Sequence, residues 1–158
     1  MENAFEPNGW EDWGEIPPGW CTKGHRLVRT PAAGLTASVY VVEPGEKQVP
    51  YHFHHGAEEI LLVLEGTPTL RTPAGERALS PGDVVHFPRG PEGAHQVRND
   101  SGEPVRVVVV DAPGWLEIVE YPDSGKVGSV ARTPFHALHF KDQTADYWDG
   151  EVDLRDGA

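Results

Sequence analysis

The chain has one cysteine, Cys21, among its 158 residues. An internal disulfide is thereby excluded, and nothing in the cysteine usage points to an oxidising compartment. Basic residues are scarce as well: 13 Lys and Arg stand against 25 Asp and Glu, a formal charge of −12. That balance disfavours nucleic acid and anionic membrane as partners, since both need a basic face. A small anion held by one local arginine remains compatible with it. Long apolar runs are missing too. The longest, Ile60–Leu64 and Val107–Val110, are too short to span a bilayer. The opening MENAFEPNGWEDWGE is acidic and lacks the apolar region of a signal peptide. A cytoplasmic protein of one domain is expected, with length enough for a hydrophobic core.

What the chain has in plenty is punctuation. Its 15 prolines and 18 glycines leave little room for long helices. Strands are expected at 35–42, 48–54, 59–64, 68–72, 77–79, 84–87, 94–98 and 105–111. Turn sequences such as EPGE, PAGE, SPGD and NDSGEP separate them. Short strands at this spacing argue for a closed barrel or sandwich rather than βαβ units. Residues 1–33 form an arm with Trp10, Trp13 and Trp20. Residues 112–158 form an extension with Trp115, Tyr121, Tyr147 and Trp148. Both are aromatic enough to be expected to pack on the barrel or on a second subunit. The strand 105–110 is apolar on both faces after Arg106, so arm, extension or partner must cover its outer side. A homodimer is the expected assembly.

The histidines concentrate in YHFHHGAEEILLVLEG, residues 51–66. Side chains alternate across a strand, so His52 and His54 share a face and can converge on one ion. His55 falls in the turn. Glu59 opens the returning strand beside them, with Glu58 facing away. Alone, such a pattern does not separate a ligand pair from a solvated strand edge. A second stretch, GDVVHFPRGPEGAHQVRND at residues 82–100, adds His95 at the start of a strand after a Pro-Gly-rich turn. From there it can project into a barrel from the opposite hairpin.

Together the two stretches resemble the two motifs of the cupin superfamily. The first reads His52-Phe53-His54, four residues, Glu59, six residues, Gly66; Gly45 opens it six residues before His52 where the family has five. The second reads Gly82, five residues, Pro88-Arg89-Gly90, four residues, His95, three residues, Asn99, with two more residues before the histidine than the family pattern. The resemblance covers residues 34–111. It implies an all-β double-stranded β-helix (a jelly-roll barrel) in which His52, His54, Glu59 and His95 bind one divalent transition metal per chain. More weakly, YPDSGKVG at 121–128 and YWDGE at 147–151 resemble the tail of a group of small bacterial cupins.

Three imidazoles and one carboxylate suit Fe, Mn, Ni, Co, Cu or Zn. Four ligands on an octahedral ion leave two positions for a bidentate substrate, or for substrate beside dioxygen. The expected function is a metal-dependent enzyme acting on a small chelating substrate, with an oxygenase placed ahead of a redox-neutral isomerase, lyase or cyclase. A non-catalytic binder of a sugar or small acid is the alternative, and a barrel merely stiffened by its metal is the third reading. Sensor cupins usually carry a helix-turn-helix, and the arm, broken by Pro7, Pro17 and Pro18, cannot supply one. Candidate acid–base or anion-binding residues are Tyr40, His86 and Arg89. His25, His136 and His139 are read as structural, although the last two would meet on a helical turn.

Overall fold

The computed structural model describes residues 1–12, 14–28, 34–112, 116–131 and 136–142. Strands end where the Pro- and Gly-rich turns fall. Among the described residues they are β1 (Lys23–Val28), β2 (Thr36–Val42), β3 (Phe53–His54), β4 (Glu59–Glu65), β5 (Thr69–Thr72), β6 (Gly75–Ala78), β7 (Val84–Phe87), β8 (Gln96–Arg98), β9 (Val105–Asp111), β10 (Leu116–Tyr121), β11 (Lys126–Ala131) and β12 (His136–Phe140). Among the described residues a 3-10 turn, Pro91–Gly93, interrupts them.

One sheet has the order β1-β2-β9-β4-β7. Opposite it lie a three-stranded sheet, β6-β5-β8, and a four-stranded sheet, β12-β11-β10-β3. Antiparallel bridges Lys47–Arg98 and His52–His95 join these two smaller sheets into one layer. The result is an all-β jelly-roll barrel, as the sequence leads one to expect. Alternation sets the core: Leu61 and Val63 of β4 and Val107 of β9 point inward to meet Leu70, Phe87 and Val97, all essentially buried. Gly66 ends β4 with φ +76°, and a Cβ there would lie 2.6 Å from Val105 Cγ1. Only glycine fits this corner.

Three segments differ from the sequence reading. The strand expected from Gln48 is reduced to β3, because Pro50 has no N–H to pair and the backbone makes isolated bridges instead. Residues 23–28, left in the arm by the sequence, form β1 and pair with β2. Within the extension, β10 pairs with β3, and β11 and β12 follow. The FHALHF segment is therefore strand and not a helical turn, which removes the spacing argument for a site at His136 and His139.

Arm and extension are tied to the barrel. Arg106 on the outer face of β9 donates to Ala4 O at 3.0 Å and lies against the Phe5 ring, while Glu2 reaches His25 on β1 at 3.1 Å. The arm thus reaches the outer face of β9 at Arg106. Arg71 of β5 grips Asp123 with two hydrogen bonds of 2.6 and 2.8 Å, fixing the β10–β11 turn. Trp13, Trp115, Tyr147 and Trp148, with the YWDGE segment, lie outside the described residues.

Candidate metal centre

The antiparallel bridge between His52 and His95 brings the two histidine segments side by side, and β4 enters next to them with Glu59 turned inward. His52, His54 and Glu59 each offer one ligand atom, all within 4.8 Å of one another. The Nε2 atoms of His52, His54 and His95 lie 3.9, 3.5 and 3.2 Å from one atom, Glu59 Oε2. Four residues from three chain segments thus converge on one point.

Backbone contacts set the rings. His52 Nδ1 lies 2.9 Å from Pro50 O, and His95 Nδ1 lies 2.9 Å from Gly93 O. A carbonyl can only accept, so each Nδ1 carries the proton and each Nε2 keeps its lone pair for the centre. His95 is further held flat against Phe87, with centroids 3.6 Å apart. The 3-10 turn made by the lengthened second motif supplies the Gly93 carbonyl, so the extra residues orient His95.

Burial pushes the His52 pKa down to about 4, helped by the neighbouring His95, so its imidazole is neutral at ordinary pH. Burial alone would raise Glu59, but the facing His95, His54 and His52 outweigh it and keep the carboxyl below its usual range. Imidazoles gathered around one carboxylate are the donor set that a divalent transition ion takes. The unmet hydrogen-bonding capacity fits as well. Buried His54 Nε2 and Glu59 Oε2 have no well-formed hydrogen bond among the described residues. Leaving such atoms unpaired costs stability, and a bound cation would satisfy both.

The sequence reading did not find Glu117. This β10 side chain is buried, with Oε1 3.6 Å from His54 Nδ1 and accepting from Gly56 N at 3.0 Å. It lies behind His54 on the side where the carbonyls lie behind His52 and His95, but His54 Nδ1 makes no hydrogen bond among the described residues. The only signal in the sequence is a glutamate inside LEIVEY, where Leu116 and Ile118 are exposed and Glu117 is buried.

A pocket of about 170 Å³ opens in front of the cluster, lined also by Ser38, Tyr40, Gln48, Val49, Val109 and Asp111. Tyr40 faces it, and burial raises its phenol to about 12. Asp111, opposite Glu59 across the β4–β9 ladder, accepts a hydrogen bond from Thr36 Oγ1. Burial raises its carboxyl above the ordinary value, and the Glu59 charge adds to this. His86 and Arg89 lie elsewhere. Both are exposed, with His86 Nε2 3.0 Å and Arg89 Nε 3.8 Å from Glu58. His55 is exposed and pairs with Glu120 at 2.8 Å.

Fold and cluster together define a class: a jelly-roll barrel whose mouth carries a group able to hold a metal ion. Residues 38–111 match the cupin domain family. The chain belongs to the cupin superfamily. Among solved structures it is similar to a sugar phosphate isomerase of the cupin superfamily from Silicibacter pomeroyi, with 27% identity and TM-score 0.70 over 86% of this chain and 90% of that one. A protein from Acidithiobacillus ferrooxidans, described provisionally as a sugar phosphate isomerase, shares 28% identity with TM-score 0.64, covering 71% of this chain and 70% of its own. A Klebsiella pneumoniae protein with a double-stranded β-helix domain shares the fold at 19% identity and TM-score 0.53, over 86% of this chain and all (100%) of that one. No curated protein matches the chain.

Proposed function

We propose that the chain is a metal-dependent enzyme that moves a proton on a small substrate with a chelating head, without net oxidation or reduction. His52, His54, Glu59 and His95 hold one divalent transition metal. The observation that carries the reading is the second carboxylate in the pocket: Asp111 and the Tyr40 phenol line the same 170 Å³ space as the cluster. The sequence alone places an oxygenase first, because two open coordination positions admit dioxygen and neither Tyr40 nor His86 is a secure proton-transfer group. With Asp111 and Tyr40 beside the cluster, that order reverses. Similarity to a sugar phosphate isomerase supports the same direction.

A divalent ion in this site supplies a Lewis acid that makes a proton next to a carbonyl easier to remove. Asp111, with Thr36 donating to it, serves as the base that takes this proton and returns it to a neighbouring carbon or oxygen. Tyr40 stays protonated and donates to a substrate oxygen. The test is proton exchange into D2O with enolisable α-keto and α-hydroxy carbonyl compounds, followed by NMR under nitrogen with Zn- or Mn-loaded protein. Asp111→Asn is expected to slow exchange by about 100-fold or more while leaving metal content unchanged. Turnover that requires dioxygen would overturn the reading in favour of the oxygenase.

We propose further that two copies pair through the outer face of the β1-β2-β9-β4-β7 sheet, where Ile60 and Val84 remain exposed beyond the arm. Light scattering at micromolar concentration should give twice the chain mass, and Ile60→Asp should return it to the monomer value. A wild-type monomer would remove the dimer. Among the described residues no helix is long and apolar enough to cross a membrane.

A further inference from the structure

A second cavity, of about 410 Å³, adjoins the metal pocket and shares Tyr40, Gln48 and Val49 with it. Its walls come from three parts of the chain. The arm gives Ile16, Pro17 and Trp20, the barrel gives Val49 and Pro50, and β11 gives Lys126. Apolar side chains dominate, and among the described residues no carboxylate lines it. In a chain of formal charge −12, a cavity wall with a lysine and no acid stands apart. Among the described residues Lys126 makes no ion pair; its nearest charge-related contact is the Tyr121 ring, 5.5 Å away. Tyr121 in turn faces His52 with centroids 6.1 Å apart, which ties this wall to the metal cluster.

The inner pocket is too small for more than a chelating head, whereas the outer cavity has room for a ring. We propose that the outer cavity is the specificity site for the substrate's body, and that the substrate is an organic acid with an apolar, ring-sized body. The inference rests on the metal-site reading for the placement of the head. The cavity's own composition carries the rest. Trp20, Ile16, Pro17, Val49 and Pro50 offer apolar contact and few hydrogen bonds, so a polyhydroxylated sugar chain would lose its water without replacement. An aryl or branched alkyl group gains by the same burial. Lys126 makes the wall tolerant of the acid's negative charge. Ile16, Pro17, Trp20 and Lys126 all lie outside residues 38–111, so this selectivity belongs to the chain's additions to the shared barrel.

Calorimetric titration of zinc-loaded and metal-free protein with phenylpyruvate, pyruvate and fructose 6-phosphate tests the inference. Phenylpyruvate should bind at least roughly tenfold more tightly than pyruvate, since the two differ by a buried ring. Trp20→Ala, or Ile16→Asp should the first variant fold poorly, is expected to erase that ratio and leave pyruvate affinity unchanged. Lys126→Glu is expected to weaken phenylpyruvate severalfold. Equal affinity for the two keto acids, a ratio that survives both arm substitutions, or tighter binding of fructose 6-phosphate would overturn the proposal. If zinc changes neither affinity, the metal-dependent reading fails by itself. A phenylpyruvate preference that persists without metal and disappears in Trp20→Ala would still support the cavity.

Discussion

Of the three convergent imidazoles, His54 is the one whose second nitrogen faces another side chain rather than a backbone carbonyl. His52 and His95 donate to the backbone oxygens of Pro50 and Gly93, but His54 Nδ1 faces the buried carboxylate of Glu117. A carboxylate behind a metal-binding imidazole fixes its tautomer and makes it a stronger donor. Glu117→Gln keeps shape and the acceptor for Gly56 N while removing the charge. We expect it to weaken zinc binding about 10- to 100-fold in a competition titration, with little change in metal-free melting temperature. A large loss of stability with unchanged affinity would mean that Glu117 only holds the Gly56 turn. Acid should act on the same cluster. Unfolded imidazole titrates near 6.5, whereas folded His52 is pushed down to about 4. Between these values the unfolded chain takes up a proton that the folded chain refuses, so stability falls as pH drops through this window and is flat above it. Glu59, lowered in the fold, adds a further loss at lower pH. Thermal melts of metal-free protein from pH 7 to pH 4 should show a falling midpoint, and a flat profile would contradict a neutral, buried His52.

These residues differ in how openly the sequence displays them. His52, His54 and Glu59 sit at fixed spacing on adjoining strands, so alternation alone puts them on one face. Asp111 and Glu117 come into place through pairings between distant strands, β4 with β9 and β3 with β10, which local spacing does not encode. At the scale of the elements the same contrast appears. The barrel strands are bounded by turn residues, so they can be read in order even where β4 and β9 are apolar on both faces. In β10 the pattern is inverted, with Leu116 and Ile118 outward and Glu117 inward, and a reader of alternation assigns it no face. The 3-10 turn at 91–93 gives the element-scale prediction. A Cβ on Gly93 would lie 1.8 Å from Pro88 O, so the turn cannot keep its shape around any side chain. Gly93→Ala should cost on the order of 1–3 kcal/mol in denaturant unfolding and reduce metal affinity, because the carbonyl that orients His95 moves with it. Full metal affinity in a destabilised Gly93→Ala protein would separate the turn from the site.

For the whole molecule, the shared barrel and the chain's additions have separate tasks. Residues 38–111 carry the four convergent side chains together with Tyr40 and Asp111. The arm and β10–β12 wrap this barrel, reach the outer face of β9 at Arg106, back His54 with Glu117 and wall the outer cavity with Trp20 and Lys126. The function proposed above accordingly assigns chemistry to the barrel and selectivity to its wrapping, and it depends on an ion at the convergence of His52, His54, Glu59 and His95. Metal analysis of protein loaded anaerobically and then desalted tests that claim most directly. The account predicts about one divalent transition ion per chain, lost on His52→Ala, His54→Ala, Glu59→Ala or His95→Ala and kept on His55→Ala and Glu58→Ala. Wild-type protein that retains no ion, or a His95→Ala protein that holds one as tightly as wild type, would contradict it.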